Sequence, residues 1–207
     1  MLTGLVGILI SYLAGSIPTA YLAGRARGVD LRTQGSGNLG ATNVARVLGT
    51  KTGVAVFAID VLKGFLPVWI LPRYVDTPNP ELWAVLFGAA AILGHVKPVF
   101  LGGKGGGKGV ATASGVFLAL AFVPLLLAQA VWALVFYFTR YVSLASLISA
   151  AILPIAILTW WRDPLSPVFI ASLTVAVFVF WTHRANIARL RRGEEHRFVK
   201  KPPPDAP

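Results

Sequence analysis

Seven long apolar runs separated by short polar segments divide the chain, at 2–24, 53–71, 82–100, 109–123, 125–139, 141–161 and 167–182. A helix needs roughly 20 apolar residues to cross a bilayer. The pattern therefore predicts an all-α polytopic membrane protein with seven transmembrane helices. The fourth and fifth runs are short and meet near Pro124. Proline disfavours helical backbone in the residue before it, which predicts two helices joined by a tight turn at Phe122-Val123-Pro124. The first run has no basic residue ahead of it and is too long for the apolar core of a cleaved signal, so it reads as a span. Residues 1–199 read as one integral membrane domain, and the proline-rich end, 200–207, as a disordered tail.

Composition agrees: of 207 residues, 56% are hydrophobic and 13% charged, where a soluble domain carries about 25% charged residues. Intrinsic disorder and collagen-like repeats are excluded, and the lack of cysteine excludes disulfide frameworks, thiol catalysis and thiolate metal sites. The net charge is +11. Nucleic acid, an anionic membrane face and anionic substrates all suit a basic chain, so position decides. On one side of the predicted bundle lie Arg25, Arg27, Arg32, Arg46, Lys51, Lys97, Lys104, Lys108, Arg140 and the arginines and lysines of the tail. On the other lie Arg73 and Arg162. The positive-inside rule then places the N-terminus in the periplasm, and the C-terminus and the glycine-rich loops in the cytoplasm. Topology and an anionic cytoplasmic partner account for the charge better than nucleic acid, and nothing calls for an obligatory protein partner.

The polar chemistry gathers on that basic side. Gly35-Ser36-Gly37-Asn38-Leu39-Gly40-Ala41-Thr42-Asn43-Val44-Ala45-Arg46 is rich in glycine and small polar residues. Successive free amides make an anion-binding concavity, and a guanidinium matches phosphate oxygens; the plain alternative is a flexible loop with a helix cap. Gly94-His95-Val96-Lys97-Pro98 is followed by a dense run, Gly102 to Gly109, which holds Lys104 and Lys108 and opens onto the fourth predicted span. Amides at a helix start attract anions. The run nearly matches a nucleotide P-loop, but Gly109 stands where the magnesium-binding hydroxyl belongs and no strand precedes it, so nucleotide hydrolysis is rejected. A third cluster is split between Ser143, at the start of the sixth predicted span, and His183, Asn186 and Glu195 at and beyond the end of the seventh. Asp60 and Lys63, three residues apart within a span, must satisfy each other or line a wet cavity, and read as support for the fold rather than chemistry.

Some chemistries are missing. No histidine is followed by an aspartate at the acyltransferase spacing, since Phe100 and Ala188 occupy the slots after His95 and His183. There is no nucleophile elbow, acidic cluster or metal-spaced histidine pair. The chain reads as built to bind phosphate without a metal or other cofactor.

These segments resemble a known family. Ser36-Gly37-Asn38-Leu39-Gly40-Ala41-Thr42-Asn43-x-x-Arg46, Gly94-His95-x-x-Pro98-x-Phe100 leading to Gly109-Val110-Ala111-Thr112, and Val142-Ser143-Leu144-Ala145-Ser146 are similar to the three signature motifs of the bacterial acyl-phosphate:glycerol-3-phosphate acyltransferases. The tail, His183-Arg184-x-Asn186-Ile187-x-Arg189-Leu190 with Gly193-x-Glu195, is similar too. The resemblance implies a seven-span inner-membrane enzyme that moves a fatty acyl group from acyl phosphate to the 1-hydroxyl of glycerol 3-phosphate, giving lysophosphatidic acid and phosphate. One departure stands out: Gly103 replaces the family's phenylalanine, and three glycines instead of two separate Lys104 from Lys108, which leaves the register of the two lysines open.

Ser36, Arg46, Lys104, His183 and Asn186 are the catalytic candidates. Gly37, Asn38, Gly40, Thr42, Asn43, His95, Gly105, Gly106, Lys108, Ser143 and Glu195 are the substrate-binding ones. The glycine-rich amides of 35–43 suit the acyl phosphate, and the cationic group suits glycerol 3-phosphate. Acyl phosphate is already activated, so attack on it needs positioning and charge stabilisation more than a strong base. A donor phosphate oxygen is the favoured acceptor of the hydroxyl proton, with His95 or His183 as the alternative base. A carrier for a phosphorylated solute, or a phospholipid-binding scaffold, are the competing functions.

Overall fold

The structure, a computed structural model, describes residues 2–198. The predicted tail at 200–207 lies outside the described residues. Ten helices follow one another, with no strand among the described residues: α1 (Leu2–Ser16), α2 (Thr19–Arg25), α3 (Ala41–Leu48), α4 (Thr50–Ile70), α5 (Pro80–Val96), α6 (Val110–Leu120), α7 (Phe122–Thr139), α8 (Val142–Trp161), α9 (Pro167–Thr182) and α10 (Arg184–Arg191). Short 3₁₀ turns extend α4 over Leu71–Tyr74 and follow α5 over Val99–Leu101.

The expected seven spans are not found. Five helical segments are long and apolar enough to cross a membrane: Leu2–Arg25, Thr50–Tyr74, Pro80–Leu101, Phe122–Thr139 and Val142–Trp161. A sixth is reached only by joining α9 to α10 across a 59° bend. The expected fourth span fails on length. The apolar run 109–123 yields only α6, whose 11 residues rise about 16 Å against a hydrocarbon core of about 30 Å. Hydropathy counts residues, whereas the backbone sets where a helix stops. A proline ring at 124 clashes with the carbonyl four residues earlier and has no amide to bond to it, so a helix arriving from α6 is disfavoured at Pro124 and here breaks before it, whereas α4 and α8 run through Pro67 and Pro154. The break falls at Ala121 (φ −148°, ψ 61°), a little before the expected turn. Pro124 then sits in the first turn of α7, where amides lack helical partners anyway.

Close helix packing is set by small residues. α1 presents Gly4, Gly7, Ser11 and Gly15 to its parallel neighbour α5. A Cβ at Gly15 would run into the Ala91 carbonyl, so the backbones approach as only small residues allow. α4 is the central helix, packing on α1, α3, α5 and α6. It approaches α6 as closely, with Gly64 against the Thr112 carbonyl and Gly115 against that of Val61. α7 and α8 form a hairpin whose corner residue, Arg140, takes the left-handed conformation.

Candidate functional site

The first glycine-rich segment is folded by one side chain. Asn43, in the first turn of α3, is 1% exposed. Its amide donates to the carbonyls of Leu31 (3.2 Å) and Gln34 (3.0 Å), and its oxygen accepts from the Ser36 backbone at 2.8 Å. Gly37 (φ +69°) closes the turn by donating its amide to Gln34. Leu39 is buried beside Ala20, Leu31, Val44 and Val56, which pins the segment to the bundle. The surface so formed presents Ser36, Asn38, Gly40 and Thr42 to a cavity of about 430 Å³.

The second segment delivers one lysine. Lys108 lines the same cavity and donates from Nζ to Asn186 Oδ1. Lys104 is exposed outside it, as the extra glycine permits. Gly105 and Gly106 are also away from the main cavity, Gly105 near Leu39 and Gly106 against the carbonyls of His95 and Val96.

The third group converges on a carboxylate. Glu195 Oε1 accepts from Ser143 Oγ (2.8 Å) on α8 and from Asn186 Nδ2 (2.6 Å) on α10. Glu195 Oε2 accepts from Arg189 Nε at 2.7 Å. Burial works to raise this carboxyl, but the hydrogen bonds from Asn186, Ser143 and Arg189, with the arginine's charge, hold it below the usual range. Arg46 on α3 lines the cavity and donates to the His196 carbonyl at 3.2 Å. His183 Nδ1 lies 2.8 Å from the Val179 carbonyl. A carbonyl only accepts, so Nδ1 carries the proton and Nε2 keeps a lone pair in the neutral ring.

Ser36, Asn38, Gly40, Thr42, Asn43, Arg46, His95, Lys108, Ser143, His183, Asn186 and Glu195 all border this cavity, whereas Gly37, Lys104, Gly105 and Gly106 do not. Arg189, named in the tail motif but not counted among the site candidates, also lines it. Its signal was its place three residues after Asn186, masked by a tail full of arginines. Trp132 and Phe136 on α7 were hidden in a uniformly apolar run.

The electrostatics favour anions. Residues at the starts of α3 (Ala41, Thr42), α6 (Val110, Ala111) and α8 (Val142, Ser143) line one cavity, bringing three helix N-termini to it. Arg46, Lys108 and Arg189 line it too; Arg189 is paired with Glu195 and Asp60 with Lys63, so Arg46 and Lys108 make the positive excess. Burial pushes Lys108 down to about 8, with Glu195 pulling the other way and Arg189 and Arg46 adding repulsion. Away from the charges the lining turns apolar, through Val54 and Phe57 on α4 and Trp132 and Phe136 on α7. Val54 and Phe57 are themselves exposed, so this flank reaches the bundle's apolar surface.

A polytopic membrane protein whose cavity gathers helix N-termini and cations beside an apolar flank has the architecture of an enzyme that joins a charged head to a greasy chain. The chain belongs to the glycerol-3-phosphate acyltransferase family, whose model matches residues 5–193. It is similar to glycerol-3-phosphate acyltransferases of Geobacter sulfurreducens (47% identical over 198 residues, covering 96% of this chain and 99% of that one) and Fusobacterium nucleatum (47% over 192 residues, 92% and 96%). Its fold matches the crystal structure of PlsY (YgiH), an integral membrane glycerol 3-phosphate acyltransferase, in its glycerol 3-phosphate form. There the TM-score is 0.86 and the identity 41%, over 95% of this chain and 96% of that one. The lysophosphatidic acid form matches with a TM-score of 0.84 and 39% identity over the same shares.

Proposed function

We propose that the chain transfers a fatty acyl group from acyl phosphate to the 1-hydroxyl of glycerol 3-phosphate at the cytoplasmic face of the bacterial inner membrane. The observation that carries this reading is the convergence of three helix N-termini and three cations on one cavity with an apolar flank. Family membership supports the reaction class. The donor phosphate lies against Ser36, Asn38 and the amides at the start of α3, and its acyl chain runs along Val54, Phe57, Trp132 and Phe136. Glycerol 3-phosphate is held by Arg46, Lys108, His183 and Asn186, and Glu195 fixes Asn186 and Arg189 in place.

The glycerol hydroxyl oxygen attacks the acyl carbon, and the bond from that carbon to the phosphate oxygen breaks. The hydroxyl proton ends on the departing phosphate, so the exchange balances without an outside base. The protein's contribution is to hold the hydroxyl against the carbonyl and to stabilise charge on the leaving group. His183 Nε2 is the remaining acceptor, and His95 is placed poorly for it because Gly107 abuts its Nε2.

The test is phosphate release by purified protein in detergent, given acyl phosphates of several chain lengths and glycerol 3-phosphate. Release that requires both substrates and yields lysophosphatidic acid is expected. Release in detergent removes a carrier, which needs a sealed membrane, and a scaffold, which turns nothing over. No release at any chain length defeats the reading.

Orientation has its own test. Arg25, Arg27, Arg46, Lys51 and Arg140 gather at the cavity end, and this supports a cytoplasmic site. The chain has no cysteine, so single cysteines report cleanly. In intact cells stripped of their outer membrane, an impermeant maleimide should label Leu165→Cys, between α8 and α9, and reach Lys51→Cys only after lysis. The reverse pattern overturns the orientation.

A further inference from the structure

The mechanism above leaves unused a buried polar cluster beside the cavity. Asp60 Oδ1 accepts from Lys63 Nζ at 2.7 Å and from Thr19 Oγ1 at 2.8 Å, and Lys63 also donates to the Ile17 carbonyl at 2.9 Å. His95, 6% exposed, places Nδ1 3.7 Å from the same carboxylate oxygen, and that nitrogen makes no hydrogen bond. A buried nitrogen without a partner is costly. Facing a carboxylate offsets part of that cost and fixes which way the ring points.

The other edge of the ring carries the glycine loop. A Cβ on Gly107 would overlap His95 Nε2, and one on Gly106 would overlap the carbonyls of His95 and Val96. Gly105 turns the chain at φ +74°. This gives a physical reason for three consecutive glycines between Lys104 and Lys108. One reverses direction, and two lie flat on the end of α5. The next residue is Lys108, whose carbonyl accepts from Thr182 Oγ1 at 3.3 Å. The chain at 107–108 is thus held by the imidazole against Gly107 and by Thr182 of α9 against Lys108.

We infer that Asp60 and His95 are positioning residues that act on the reaction through Gly107 and Lys108. Lys63 and Thr19 lock Asp60, Asp60 orients His95, and the ring sets where the Lys108 side chain begins its reach to Asn186. The inference rests on Lys108 as the amine that grips glycerol 3-phosphate.

A double-mutant cycle tests it. His95→Ala and Gly107→Ala are each made in the natural chain and in Lys108→Ala, and steady-state KM and kcat for glycerol 3-phosphate are measured, with thermal melting as the folding control. Gly107 does not have positive φ, so alanine there adds only the overlap with the ring and leaves the Asp60–Lys63 pair untouched. In the natural chain both variants should raise KM about tenfold and change kcat less than about threefold. With Lys108 already removed, the same substitutions should change KM less than about twofold, since residues that act through one another are not additive. Equal losses in the two backgrounds would mean that His95 meets substrate or merely supports the fold, and would overturn the inference. So would an unchanged KM in both single variants. If His95→Ala does not fold, Gly107→Ala decides alone. Lys108→Ala without effect would instead sink the role given to Lys108 itself, which keeps the two failures apart.

Discussion

Asp60 and Glu195 are both buried carboxylates on the wall of one cavity, and they are satisfied by different means. Asp60 lies in the middle of α4 and takes its counter-charge from its own helix, one turn on, at Lys63. Glu195 lies in no helix and takes its partners from α8 and α10. The first draws its counter-charge locally, with Thr19 of α2 and His95 of α5 also facing it. The second exists only when distant parts of the chain have met, and it aims side chains at the space between them. The counter-charge of Asp60 comes from its own helix and that of Glu195 from another element, so loss of Asp60 should be felt first in folding and loss of Glu195 first in the site.

Substitutions can break this contrast. The largest effect is expected from Asp60→Asn, which leaves Lys63 buried without its counter-charge at a cost of about 3–5 kcal/mol. It should show first in thermal melting of the detergent-solubilised protein. Removing Lys108 should leave melting nearly unchanged but lower kcat/KM for glycerol 3-phosphate by roughly 100-fold, the loss of a charge-assisted contact to phosphate. Glu195→Gln keeps an oxygen for Ser143 and Asn186 but gives up the charge facing Arg189, and KM should rise about tenfold. If Glu195→Gln unfolds the protein while Asp60→Asn only slows it, the contrast is the wrong way round.

The pH dependence sharpens it. With Lys108 down at about 8, the free enzyme loses this cation as pH rises past that point. Arg46, Arg189, Glu195 and His183 are the titratable groups around it. A plot of kcat/KM should therefore fall above about pH 8, by up to tenfold per unit, and Lys108→Arg should abolish the fall. Stability moves the other way. The folded protein disfavours the charged lysine, so the penalty is present in full below about 8 and is relieved as pH climbs towards the ordinary value of 10.5. The smallest effect belongs to Lys104→Ala, which should change kcat/KM by less than about twofold because the side chain is exposed outside the cavity.

Much of this was legible beforehand, and the rest was not for definite reasons. Asp60 and Lys63 could be paired from spacing alone, because helical geometry puts positions three apart on one face. Asn43 could be placed beside the glycine segment, but its three bonds back to the loop could not be read. The register of Lys104 and Lys108 stayed open because a glycine run has no side chains to anchor it. What settles their places is the end of α5, against which Gly106 and Gly107 lie. The break near Pro124 was legible and Ala121 makes it; the span count went wrong because an apolar run does not fix helix length, and α6 (11 residues) and α9 (16 residues) are too short to cross alone. Arg189 was visible in the tail motif but received no role, because its partner, Glu195, is reached only after the chain doubles back.

That doubling back has a consequence for the order of manufacture. A ribosome adds Glu195 only after the residues of every membrane helix have been joined. The helices can insert and pack while Asn186 and Arg189 still lack the acceptor that aims them. The proposed grip on glycerol 3-phosphate is complete only once synthesis has passed residue 195, and a chain truncated just before it is expected to insert but to lose turnover.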